Sequence, residues 1–356
     1  MRYQISYLFF LIITIGSGQE ATKKSLPKSY ISYFTEEPII IDGIPNETSW
    51  QKVQATSAFI DIEGIKTPKY TTTVKMLWDL KNIYFLAEIE EPHVWADLKQ
   101  RDTIIFYNND FEIFIDPDND THNYYEIEIN ALNTVWDLFL TKPYRENTPV
   151  LNDWNANGLQ SAVKIHGTLN NPNDIDKGWT LEVAIPFKVF RTSYYEDNTP
   201  GDQFWRINFS RVNWDFQLEN KKYYRKKNHQ GKFEPEYNWV WSSMGVINMH
   251  RPEDWGYVYF SSKKAGEKDM FTIPKDYKVR QLLYALYRKQ KEYFEKHKRW
   301  ATSFSELSQN RIEIEGKKII HSIENHQTGW NIIVVSPFTR KVFIIKEDGK
   351  VIQKVN

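Results

Sequence analysis

Residues 108–130, NNDFEIFIDPDNDTHNYYEIEIN, concentrate side-chain carboxylates along two runs that alternate apolar and polar residues. Three chemistries could use them. An EF-hand calcium loop asks for oxygen ligands at loop positions 1, 3 and 5, glycine at 6 and glutamate at 12. Asp116, Asp118 and Asp120 suit the first three, but Thr121 and Ile127 stand where the glycine and glutamate should be, which excludes that loop. A looser calcium site in a β-turn stays open, because aspartates at alternate positions can bring hard oxygens together; a solvated acidic turn is the plain alternative. Glycoside hydrolysis needs two carboxyls about 5 to 9.5 Å apart, one of them held protonated. Glu112, Glu126 and Glu128 could supply a pair, although their spacing does not demand it. The third reading, two paired strands joined by an acidic turn, accounts for most residues. Phe111, Ile113 and Ile115 point one way and Glu112 with Phe114 the other, while Tyr125, Ile127 and Ile129 face the core and Glu126 and Glu128 do not.

Aromatic residues make a second constellation. Eleven of the 13 tryptophans fall between Trp50 and Trp255, more than a core of this size needs, so some are expected to face a ligand. Trp78, Trp179 and Trp205 sit in strand-like runs with apolar flanks and read as core; Trp136 reads equally as core or ligand contact. Trp95 in EPHVWADL and Trp154 in NDWNANG occupy polar surroundings, where a large ring is costly to expose without a purpose. Trp214, Trp239 and Trp241 are further candidates. Arg211, Arg251 and His250 could donate to ligand hydroxyls, although Arg251 in RPEDW could equally clasp Glu253 or Asp254.

These residues need elements to hold them. From Tyr30 to Ser262 the chain reads as short alternating runs separated by turn residues, the pattern of an antiparallel β-sandwich or barrel. PIIIDGIP is expected to end a strand at an Asp-Gly turn, and VKMLWDLKNIYFLAEIEEP reads as a hairpin turning at Asp79 to Asn82. Further strands are expected at 110–116, 123–130, 134–140, 161–165, 178–185, 204–212 and 255–260. Residues 263–275 read as a linker. Beyond them Asp276 can cap a helix with apolar residues at three- and four-residue spacing, followed by strands near 317–323, 330–335 and 341–346 and an EDGK turn. The fold class is therefore mainly β, with a β-sandwich over 30–262 and a small α+β unit over 276–356.

Charge splits along the same line. The totals balance at 46 basic and 46 acidic residues, but the acidic excess lies before residue 263 and the basic excess after it. An acidic body with a basic tail invites docking of one on the other, and nothing in the total charge argues for nucleic acid. The absence of cysteine excludes disulfides, thiol nucleophiles and thiolate metal sites. Arg2, the apolar run from Tyr7 to Ile15 and the small residues Gly16, Ser17 and Gly18 read as a signal peptide over 1–18. That run is well short of the roughly 20 residues that span a bilayer, and no later segment could span one, so the mature chain is expected to be periplasmic or extracellular.

Taken in order, PIIIDGIPNETSW, LWDLKNIYFLAEIEEPHVWA, DFEIFIDPD, GWTLEVAIPF and NWVWSSMGVINMHRPEDWGYVYF resemble the family 9 carbohydrate-binding module and its family 9-like relatives, over residues of about 30 to 262. The resemblance implies a jelly-roll-like sandwich that binds sugar without cleaving it, with bound calcium supporting the fold. It places Glu112 on the family's sugar-contacting glutamate and Phe106 or Tyr107 where the first stacking tryptophan belongs. Met249 or His250 stands at the second stacking position, and Glu126 replaces the family's arginine. A site rebuilt from Glu112, Tyr107, Phe106, Trp95, Trp154, Glu126, Arg211, Trp239 and His250 is therefore expected, with Asp116, Asp118 and Asp120 as calcium ligands and no organic cofactor. The expected partners are an oligo- or polysaccharide and glycan-degrading enzymes. A glycoside hydrolase using paired glutamates is the alternative. A haem module on a similar sandwich is a third, although the adjacent Met249 and His250 would diverge in a strand. The tail weakly resembles the soluble part of pilin-like subunits.

Overall fold

Alternating runs become strands nearly throughout the first three quarters of the chain. The computed structural model describes residues 26–191, 199–309 and 312–354; the expected signal peptide lies outside them. The strands are β1 (Ser29–Phe34), β2 (Ile60–Asp61), β3 (Thr72–Trp78), β4 (Asn82–Glu90), β5 (Asp110–Asp116), β6 (Tyr124–Asn130) and β7 (Val135–Leu140). They continue with β8 (Gln160–His166), β9 (Gly178–Pro186), β10 (Phe204–Asn213), β11 (Phe216–Glu219), β12 (Lys222–Arg225), β13 (Tyr237–Val240) and β14 (Gly256–Lys264). A short helix, α1 (Thr48–Lys52), follows the Asp-Gly turn. Residues 38–41 form no strand, contrary to expectation. The peptide N–H groups of Asp42 and Gly43 instead donate to the Glu182 carboxylate, at 3.2 and 2.8 Å, while Ile39 and Ile41 pack beside Trp50. Gly43 takes φ +82°, a value that favours glycine.

Hydrogen bonding runs in the order β7-β6-β5-β10-β14-β1-β3-β4-β9-β8, with β13 on β10 and β2 on β13. Strand β1 pairs in parallel with both β14 and β3, which joins the two halves of the sheet. The sheet curls into a sandwich-like fold around one apolar core. That core takes Val74 and Met76 from β3, Phe85 from β4 and Val183 from β9 on one side, and Ile113, Ile127 and Phe209 from β5, β6 and β10 on the other. Period-two alternation is what lets each strand give one face to this core.

The basic tail forms helix α2 (Tyr277–His297), the short strands β15 (Glu313–Ile314) and β16 (Lys317–Lys318), and an antiparallel sheet of β17 (Ile320–His326), β18 (Gly329–Val335), β19 (Val342–Lys346) and β20 (Val351–Lys354). Leu283 and Leu286 of α2 pack with Trp330, Ile332, Phe343 and Ile345 in an apolar cluster of their own. Asp276 precedes the helix but makes no side-chain cap; its carboxylate accepts from Ser336 Oγ at 2.5 Å and Thr339 Oγ1 at 2.7 Å, tying the helix start to the sheet. Among the described residues no helix is long and apolar enough to cross a membrane.

The tail sits against the acidic side of the sandwich. Lys350 Nζ lies 2.7 Å from Asp120, Arg280 donates to the Asn119 carbonyl at 2.7 Å, and Lys142 Nζ lies 2.9 Å from Asp348. Arg288 of α2 and Arg145 of the sandwich converge on the buried carboxylate of Glu253, at 3.3 and 2.9 Å. Arg251 completes that clasp, 3.8 Å from Glu253 and 3.0 Å from Asp254.

Candidate functional site

Strand register builds the site. Glu112 on β5 stands opposite Glu128 on β6, and Glu128 stands opposite Trp136 on β7, so their side chains share the face turned away from the main core. Glu126 follows two residues before Glu128 on the same face. These residues, with Leu138 and Val212, floor an open cleft of about 450 Å³. Its walls come from far along the chain: Phe106, Tyr144, Glu236, Asn238, and the run Ile247 to His250. The acidic face of the hairpin is thus no bare surface, since Glu112, Glu126 and Glu128 are all buried.

Burial governs the charges here. It pushes Glu112 up to about 7, with the Glu236 charge adding to the effect. Glu126 and Glu128 are also held well above the usual carboxylate range, by burial first and by each other's neighbours second. Among the described residues no lysine or arginine lines this cleft. Its imidazole, His250, is pushed down to about 3 by burial and is therefore neutral at pH 7. His250 Nδ1 pairs with the Tyr124 hydroxyl at 2.9 Å, and its ring centroid lies 3.8 Å from that of Tyr144. Met249 packs with Trp255 and Phe114 in an apolar cluster, so both residues of the haem reading are engaged in the fold.

Four of the expected sugar-contacting residues, Phe106, Glu112, Glu126 and His250, meet in this cleft. Trp95 and Tyr107 line a second one, of about 360 Å³, with Tyr223, Tyr224, Arg225 and Phe233. The Phe106 and Tyr107 rings, 4.9 Å apart, lie between the two. Trp95 is buried and stacks on Tyr223 with ring centroids 6.2 Å apart and planes 10° from parallel. The other three fall outside both clefts. Trp154 packs against Tyr125 and Phe139 at the edge of the main core, since its polar loop folds the ring inward. Trp239 is core. Arg211 is fully buried, 3.6 Å from Glu91 and 5.0 Å over the Trp239 ring, so its charge is spent inside the sandwich. Tyr144, Glu236 and Asn238 belong to the main cleft without having been singled out by sequence. Tyr144 follows Lys142-Pro143 and opens a single 3-10 turn, Tyr144–Glu146, whose position only the fold determines.

The aspartates of the acidic turn converge as their spacing suggests: one carboxylate oxygen each of Asp116, Asp118 and Asp120 lies within 4.8 Å of the others. Each also braces the turn. Asp116 accepts from the Asn119 and Thr121 N–H groups, Asp118 from Asp120 and Asp120 from His122. An all-oxygen set of this kind fits a hard cation such as calcium, which would compete with Lys350 for Asp120.

Residues 41–203 match the family "Carbohydrate family 9 binding domain-like". The matched segment is similar to that family. It contains β2 to β9, whereas β1, β10 and β14 of the same sheet lie beyond it. The chain is 26% identical over 148 residues to exoglucanase XynX of Acetivibrio thermocellus, covering 42% of this chain and 11% of that enzyme. The chain thus spans about a tenth of the curated relatives it matches. A family 9 carbohydrate-binding module of Caldicellulosiruptor kristjanssonii in complex with cellotriose superposes with a TM-score of 0.41 at 13% identity, covering 69% of this chain and all of that one. The corresponding complex of that protein with glucose gives 0.39 at 12% identity, with the same coverage of both chains.

Proposed function

We propose that the cleft over β5, β6 and β7 binds an oligo- or polysaccharide. The observation that carries this reading is the joining, within the family 9-like segment, of buried carboxylate acceptors with the exposed Tyr144 and half-buried Trp136 and Phe106 rings in one open cleft. Aromatic faces suit the apolar faces of a pyranose, and carboxylates accept strongly from its hydroxyls. Export to the periplasm or outside, a non-catalytic role and work beside separate glycan-degrading enzymes complete the reading. Calcium at the Asp116 to Asp120 turn, bracing the fold near the tail, belongs to it too.

A hydrolase is the second reading, favoured by Glu112, whose value near 7 suits a general acid. Its partner would have to stay ionised, whereas burial raises Glu126 and Glu128 as well. Calorimetric titration of the full chain with a panel of plant, algal and host oligosaccharides tests both. Saturable binding without turnover, lost in Glu112→Gln and Trp136→Ala, is expected. Binding that survives both substitutions would remove the cleft from consideration, and turnover abolished by Glu112→Gln would establish the hydrolase.

A further inference from the structure

Beside the cleft floor, along β5, lies a carboxylate that the sugar reading does not use. Asp110, at the start of β5, is fully buried, and neither of its oxygens has a well-formed hydrogen-bond partner. It shares a strand face with Glu112, two residues on, and Glu128 stands across from Glu112. One oxygen each of Asp110, Glu112 and Glu128 lies within 4.8 Å of the others. A separate observation points to the same place. Glu126, outside this triad, is buried and lines the same cleft; its Oε2 accepts no hydrogen bond and lies 4.0 Å from His250 Nε2. Among the described residues no lysine or arginine lines the cleft to neutralise them, and its one imidazole, His250, is held neutral by burial. Buried carboxylates in native proteins are paired, protonated or metal-bound, because an isolated charge in the interior costs several kcal/mol.

We propose that Asp110, Glu112 and Glu128 hold a divalent cation of the calcium class at the floor of the cleft. The donors are all carboxylate oxygens, which suit hard ions and not the thiolate- or imidazole-seeking metals. Calcium takes oxygens at about 2.3 to 2.6 Å, so ligands around one ion stand up to about 5 Å apart; magnesium, at about 2.0 to 2.1 Å, needs a tighter set. Oxygens that all lie within 4.8 Å of one another fall inside the span that calcium's ligands occupy. Three carboxylates supply part of the six to eight ligands calcium takes, and two of them, Glu112 and Glu128, line the open cleft. The site is distinct from the acidic turn, which sits at the other end of β5 and carries Lys350. It does not depend on sugar binding.

Calcium titration by calorimetry on the full chain, stripped with chelator and without any sugar, tests it. Asp110→Asn and Glu128→Gln keep side-chain shape and remove one charge each; Asp118→Asn perturbs only the turn. Each cleft variant is expected to bind one calcium fewer than the unsubstituted chain, whereas Asp118→Asn retains the cleft ion. Equal stoichiometry in the cleft variants would overturn the proposal, as would failure of the unsubstituted chain to bind calcium at millimolar concentration. Should Asp110→Asn fail to fold, Glu128→Gln alone decides. Because no sugar is present, a negative result leaves the carbohydrate reading standing.

Discussion

Glu253→Gln should release the tail from the sandwich. The Glu253 carboxylate is buried and receives Arg145 Nη1 at 2.9 Å, Arg288 Nη1 at 3.3 Å and Arg251 Nε at 3.8 Å. Burial alone would raise its pKa, but the three guanidinium charges outweigh it and hold the carboxyl below its ordinary value. Removing one partner of a buried ion pair costs about 3 to 5 kcal/mol, because the charges left behind are unpaired. At about 2 °C per kcal/mol for a unit of this size, Tm should fall by about 6 to 10 °C at pH 7. The pH dependence gives a second handle. A carboxyl with a depressed folded pKa contributes stability that is present above its unfolded value and lost as pH falls through the folded one. The gap in Tm between the variant and the parent should therefore be full at pH 7, narrow below about pH 4.5 and close in stronger acid. Calorimetric melts at several pH values read both quantities. A gap under 2 °C at pH 7, or one unchanged in acid, would refute the assignment of the clasp as the charge-dependent link. The clasp also reaches the cleft, because Arg145 adjoins Tyr144 in the cleft wall and Glu146 accepts from Lys291 at 3.1 Å and from the Tyr287 hydroxyl.

Deleting residues 263–356 should lower the Tm of the sandwich and, by freeing the Tyr144 wall, weaken sugar binding; an unchanged melting curve would rule out docking as a stabilising contact. Glu112→Gln should weaken sugar binding by about 10- to 100-fold in calorimetry, the loss of one charge-assisted hydrogen bond of about 1.5 to 3 kcal/mol. Trp154→Ala, in contrast, should cost about 3 to 5 kcal/mol in urea unfolding and leave affinity within a few-fold, since its ring packs on Tyr125 and Phe139. Calcium at 100 times its Kd should raise stability by about 2.7 kcal/mol, or about 5 °C in Tm, with chelator reversing it; Asp118→Asn should reduce that gain, and an identical gain would remove the turn as a calcium site.

Much of the scaffold was readable in one dimension. Alternation separated Phe111, Ile113 and Ile115 from Glu112, and Tyr125, Ile127 and Ile129 from Glu126 and Glu128, because side chains of a strand must alternate whatever the strand pairs with. The order of strands from Val74 to Phe260, the helix after Asp276 and the convergence of three alternate aspartates are likewise local consequences of spacing. Asp276 shows the limit even there, since a cap residue chose Ser336 and Thr339 over the helix N–H groups.

Which side of a strand is wet, and what covers it, depends on partners distant in sequence. Arg211 is polar, yet register sets it opposite Phe111 on the core-facing side, where Glu91 and Trp239 accommodate it. Trp95 and Trp154 stand among polar neighbours, yet their loops fold back so that Tyr223 and Tyr125 cover them. Glu112, Glu126 and Glu128 are adjacent along the hairpin, but their burial, and hence their raised pKa values, comes from Tyr144, Glu236 and His250 closing over them. The sequence by itself determined the period of each element and the sign of each charge. Only the tertiary structure decided dielectric surroundings and neighbours, because both arise from contacts between segments that are separate in sequence and meet only in the fold.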